Sequence, residues 1–157
     1  MVRCQPAPLP RPLDSRRAAD TDGAAQAGGD EGTHFWTDGW DGYPNARQRL
    51  LDSLVAHRRR NPIVIGGDRH AFFTADLKHD FARPEGPTIA TEFVGTSITS
   101  DGPSEASVRK ALAADPHLVY ARGDKRGYAT VDLDAEHCTV GFEVIDDVKD
   151  AGAPCAG

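Results

Sequence analysis

The chain has 157 residues, a formal net charge of −6 and 39% hydrophobic residues. That is enough for one domain, and the acidic balance argues against a nucleic-acid-binding surface. The 3 cysteines, Cys4, Cys138 and Cys155, are too scattered for a disulfide framework or a paired-cysteine metal knuckle, and no apolar run reaches membrane-spanning length.

From the amino end, Met1 to Asp30 holds almost no large apolar residues beyond Val2, Leu9 and Leu13. Such a segment buries too little surface to offset its ordering entropy, so it is expected to be disordered. Arg16-Arg17 is a twin arginine without a following apolar core, which leaves no usable export signal. Asp38-Gly39-Trp40-Asp41-Gly42-Tyr43-Pro44 is turn-rich and aromatic, and Pro44 suits the first turn of a helix. The pattern then predicts a helix over Asn45 to Arg60, with Leu50, Leu51, Leu54 and Val55 on one stripe. Arg58, Arg59 and Arg60 would meet the negative end of its dipole, and Asn61-Pro62 would end it.

Ile63 to Lys78, reading IVIGGDRHAFFTADLK, is the most informative stretch. A β-branched run ends in two glycines, then Asp68 and His70 follow. In an extended backbone these side chains, two apart, would point the same way at a strand's carboxyl end, where open α/β folds place ligands. A carboxylate and an imidazole there suit a metal ion. Phe72 to Lys78 alternates as a half-buried strand, and Thr88 to Val94 forms another. After a hydroxyl-rich loop over 95–103, Ser104 caps a short helix through Ala114. Leu118 to Ala121, Gly127 to Leu133 and Cys138 to Ile145 read as strands joined as hairpins at Arg122-Gly123-Asp124 and Asp134-Ala135-Glu136. Cys138 reads as a small buried side chain. His34, His57, His79 and His117 share no ligand spacing and are expected at the surface.

With these residues in place, the chain resembles the carboxyl-terminal part of the PhoD-like alkaline phosphatases, within the metallophosphoesterases. Asp38 to Pro44 running into Arg47-Gln48-Arg49-Leu50-Leu51 carries the resemblance. So do Asn61-Pro62 with Gly67-Asp68-Arg69-His70, the run Thr91-Glu92-Phe93-Val94-Gly95-Thr96-Ser97-Ile98-Thr99-Ser100, and Asp124-Lys125-Arg126-Gly127-Tyr128. It covers about Trp36 to Asp147.

The resemblance implies an α/β fold of α+β mixed type, part of a β-sandwich flanked by helices, over 34–147. A disordered or unrelated tail over 1–33 would precede it and a flexible tail over 148–157 would follow. It implies hydrolysis of phosphate mono- or diesters by metal-activated water, with calcium and iron as the metals. Gly67-Asp68-Arg69-His70 would be the last metal-ligand block, making Asp68 and His70 ligands. Trp40, Asp41 and Tyr43 would line the phosphate pocket, or Trp40 and Tyr43 would brace the helix start by packing. Glu92 inside its strand, if inward, needs a partner and would support a ligand. Thr96 and Ser97 would donate to phosphate or to supporting carboxylates, or satisfy turn backbone. The family is often exported to the periplasm or beyond. Its other ligand blocks should precede this region, where the chain has Met1 to Asp30, and nothing there matches them. The expectation is therefore the last third of such an enzyme, working with a missing amino-terminal half, or else a non-catalytic, partner-dependent remnant.

Overall fold

A computed structural model describes residues 2–3, 39–57, 60–83 and 85–156. The elements run β1 (Val2–Arg3), a 3-10 turn (Trp40–Gly42), α1 (Pro44–Ala56), β2 (Ile63–Gly66), β3 (Phe72–Lys78), β4 (Thr88–Val94), α2 (Glu105–Ala114), β5 (Leu118–Arg122), β6 (Arg126–Leu133), β7 (Cys138–Ile145) and β8 (Cys155–Ala156). The class is mixed α/β, as expected. The expectations resting on Cys4, Arg16-Arg17, His34, Arg58 and Arg59 lie outside the described residues, as does most of the stretch read as disordered.

Pro44 opens α1 at its first position, where a missing N–H leaves no bond unmade. The helix stops at Ala56, short of the expected Arg60, and His57 N closes it on the Ser53 carbonyl at 3.1 Å. Of its apolar stripe only Leu51 is fully buried, whereas Leu50 and Val55 are exposed. Ser104 caps α2 as read from the sequence, its Oγ accepting from Ser107 N at 3.2 Å.

Two sheets pack face to face. One has the order β2-β4-β3-β5; the other is the β6–β7 hairpin extended by β1 and β8 along β7. β2 runs parallel to β4, and β3 runs antiparallel to both β4 and β5. α2 covers one face of the first sheet, burying Ala71, Val108 and Ala121 with Phe73 and Leu112. The hairpin covers the other, burying Phe93, Cys138 and Val140 with Ile63, Ala129 and Phe142. Phe142 lies 4.7 Å from the Phe72 ring and stacks on Tyr120 at 5.5 Å.

Three expectations are corrected. β3 is buried on both faces rather than half-buried, with Phe72, Thr74, Ala75 and Lys78 all inside, because helix and hairpin sandwich it. β5 and β6 do not form a hairpin: β5 pairs with β3, and the chain crosses to the second sheet at Gly123. A Cβ on Gly123 would stand 2.7 Å from Val108 Cγ2 and 2.9 Å from the Pro103 carbonyl, so glycine is what lets this corner pack against α2. His117 is fully buried, not at the surface. Its carbonyl joins the β3–β5 ladder through Asp76 N at 2.9 Å, and its ring lies 5.5 Å from Phe81.

A candidate metal-binding loop at the carboxyl end of β4

Strand register decides which loops meet. Gly66 at the end of β2 and Phe73 near the start of β3 both stand beside Val94, the last residue of β4. The connection through Asp68 and His70 therefore arches over the carboxyl end of β4. The loop that leaves β4 at Gly95 starts beneath it, and Gly95 N donates to the Gly66 carbonyl at 3.0 Å. Phe72 also stands beside Arg122, the last residue of β5, which brings the β5–β6 corner to the same end.

The loop is not extended. Asp68 has φ 72° and His70 has φ 54°, both in the left-handed region. The period-two argument for a shared direction thus fails, because the strand stops at Gly66 and the glycine-rich turn takes over. Asp tolerates this conformation better than most residues, and His is among those enriched there.

His70 is held from three sides. Its Nδ1 lies 2.6 Å from the Asp101 carbonyl oxygen. A carbonyl only accepts, so Nδ1 carries the proton and Nε2 of the neutral ring bears the lone pair. This is the arrangement in which an outer hydrogen bond orients a metal-binding imidazole. The His70 carbonyl accepts from Arg126 Nη1 at 2.7 Å. Gly102 packs against the His70 backbone and leaves no room for a Cβ.

Of the residues singled out in the sequence, Asp68, His70, Thr96 and Ser97 gather at this end. Thr96 Oγ1 accepts from Arg126 Nη1 at 3.1 Å, the same nitrogen that holds His70. Ser97 Oγ donates to the Ser100 carbonyl at 2.5 Å, and the Ser97 carbonyl accepts from Gly127 N at 3.1 Å. These contacts give both hydroxyl residues a role in shaping the loop. Glu92 is half-buried on β4, its Oε1 3.9 Å from where a Cβ on Gly66 would lie, directly below the loop.

Trp40 and Tyr43 are exposed at 52% and 57%, and Asp41 sits between them in the 3-10 turn. Their helix makes its side-chain contacts at the opposite end of β3. Gln48 Nε2 donates to the His79 carbonyl at 3.3 Å, and Arg47 lies over the Phe81 ring at 5.1 Å.

A metal ion, which the family resemblance implies, would find a carboxylate on exposed Asp68 and an oriented nitrogen on His70. That donor chemistry fits a metal ion, and by itself it would be an incomplete donor set. Among the described residues no group of three or more His, Cys, Asp or Glu is placed to hold one, whereas metal centres of this kind take three or more protein ligands.

Sequence reasoning missed Arg126, Asp101 and Gly102. They act through the backbone or on it, so their residue types carry no ligand signature. Arg126 lies within Asp124-Lys125-Arg126-Gly127-Tyr128, a block that was legible only as a motif.

The family model described as PhoD-like phosphatase matches residues 13–142. Alkaline phosphatase D of Bacillus subtilis (strain 168) is 33% identical over 119 residues, which is 74% of this chain and 20% of that protein. A solved structure titled "Structure of PhoD" superposes with a TM-score of 0.71 at 30% identity, covering 78% of this chain and 24% of that one. The chain thus spans a fifth of the length of the curated relative it matches.

Proposed function

From the premise that this chain belongs to the PhoD-like phosphatase family, we propose that it contributes Asp68 and His70 to the metal centre of a phosphatase acting on phosphate esters. The observation that carries this reading is the hydrogen bond from His70 Nδ1 to the Asp101 carbonyl at 2.6 Å. It fixes the tautomer that presents Nε2, at the carboxyl end of a parallel strand pair.

The ions we assign by resemblance are calcium and iron. Carboxylate oxygen suits both, and imidazole suits iron. Bound there, the metal would polarise a phosphoryl oxygen and lower the pKa of its water. The chain's own part is to orient the imidazole and offer the carboxylate. The remaining donors of a complete centre are not among the described residues. The hydroxyls of Thr96 and Ser97 donate to the carbonyls of Lys125 at 3.4 Å and Ser100 at 2.5 Å, so their part is to shape the loop beside His70.

The test is hydrolysis of a chromogenic phosphate monoester and diester with added calcium and iron. The unmodified chain is compared with Asp68→Asn and His70→Ala, and metal uptake is followed in parallel by calorimetry. Metal uptake that falls at least tenfold in both variants is expected, with any metal-dependent hydrolysis falling alongside it, in line with the loss of a metal-site partner. Hydrolysis and metal uptake indifferent to both substitutions would sink the assignment.

A further inference from the structure

We infer that Arg126 is a positioning residue for His70: one guanidinium fixes the His70 backbone and the loop that orients the His70 ring.

The geometry gives Arg126 an unusual number of duties. The two protons of its Nη1 are shared among three acceptors, the carbonyls of His70 at 2.7 Å and Lys125 at 2.9 Å and Thr96 Oγ1 at 3.1 Å. Its Nη2 donates to the Gly123 carbonyl at 3.2 Å. Three segments far apart in sequence, the Asp68–His70 loop, the loop after β4 and the β5–β6 corner, are thereby tied to one planar group. A planar fork with five fixed donors suits this; an ammonium on a flexible stem does not.

His70 needs such a tie. At φ 54° it occupies a region that side chains seldom visit, and such a conformation persists only where the surroundings over-determine it. The Asp101 carbonyl and Gly102 supply two constraints. Both lie on the loop that begins at Thr96, and Arg126 holds Thr96 as well. Removing the guanidinium therefore loosens His70 and the acceptor of its Nδ1 proton together. The ring is then free to exchange tautomers, and the fraction presenting the Nε2 lone pair falls.

The inference rests on His70 being a ligand, but its test reads the ring directly. Nitrogen NMR of the histidine rings in the unmodified full chain should show His70 protonated at Nδ1. In Arg126→Ala the His70 signals should move toward the Nε2-protonated pattern, and zinc, used as the probe ion, should bind at least tenfold more weakly. The rings of His57 and His117 and the cooperativity of melting should not change. Arg126→Lys keeps the charge without the fork and should restore less than half of the shift. A folded Arg126→Ala variant with unchanged His70 ring signals overturns the inference. Should neither variant fold, the unmodified chain decides: coupling across the hydrogen bond from the Arg126 Nη1 protons to the His70 carbonyl carbon supports the tie, and a freely rotating guanidinium overturns it. If hydrolysis is indifferent to His70→Ala while the ring shift is seen, the ligand reading fails and the positioning stands.

Discussion

Gly102 lies against His70 so closely that a Cβ on it would stand 2.8 Å from His70 Cβ and nearer still to the His70 carbonyl oxygen. The carbonyl is backbone and the Cβ is bonded directly to backbone, so neither can swing aside. Gly102→Ala should therefore push apart the two loops that define the candidate site, at a cost of about 1–3 kcal/mol, the range for overpacked interiors. The shift in urea midpoint measures it, and the His70 ring signals should change in the same variant. A loss below about 0.5 kcal/mol, the level of an ordinary surface substitution, would show that the approach is looser than the structure has it.

Phe142 joins the two sheets. Its ring meets Phe72 at 4.7 Å and Tyr120 at 5.5 Å, across the interface between the hairpin and the first sheet. Truncation to alanine removes both aromatic contacts and leaves a cavity, which for Phe costs about 3–5 kcal/mol. Phe142→Ala should unfold at a clearly lower denaturant concentration than Tyr128→Ala, which removes a ring that is 46% exposed. Equal losses would mean that the sheets are not held together here.

Local pattern made much of this fold legible. The strand Thr88 to Val94, the Ser104 cap and Pro44 at a helix start each depend on neighbours a few residues away, and each is where the sequence places it. The failures share a cause. Whether Arg122-Gly123-Asp124 closes a hairpin depends on β5 preferring β3, a partner more than forty residues away, as the pair Phe73 and Ala121 shows. The burial of His117 depends on Phe81, brought in by the turn after β3. Within the site, Asp68 and His70 were legible by type. The left-handed backbone that presents them was not, because at His70 it is held by Gly102, Asp101 and Arg126 from other segments.

The left-handed backbone at Asp68 separates a conformational role from a ligand role. With φ 72° and an exposed side chain, Asp68→Asn should leave stability within about 0.5 kcal/mol, since Asn visits this region nearly as readily. Asp68→Val, β-branched at positive φ, should cost about 1–3 kcal/mol. Both variants should lose metal uptake. Thermal melts with and without metal distinguish the two effects. If Asp68→Asn proved as destabilising as Asp68→Val, the carboxylate would be structural and its place as a ligand would have to be given up.

His117 sets the pH dependence of stability. Burial drives its pKa down to about 3, and the nearby charges of Lys78 and Arg47 push the same way. Neither ring nitrogen finds a hydrogen-bond partner among the described residues. An unfolded histidine titrates near its ordinary value of 6.5. Between pH 6.5 and 3 the unfolded chain therefore binds the proton that the folded chain refuses, and stability rises with pH across that window. The full contribution is present above the unfolded value and is lost as the pH falls, with a limiting slope of about 1.4 kcal/mol per pH unit. Carboxylates held low in the fold act in the same direction but start only near their own ordinary values. Among them are Glu105, bonded to Gly123 N, and Asp124, paired with Arg122. Above the ordinary carboxylate range His117 therefore acts against Asp76, whose carboxyl is held by burial above its ordinary value and which works in the opposite sense. Replacing His117 with leucine keeps an apolar filling and removes the titration. Urea midpoints of the unmodified chain should fall more steeply from about pH 6.5 to 4.5 than those of His117→Leu. A variant that kept the same slope would assign the acid sensitivity to another group.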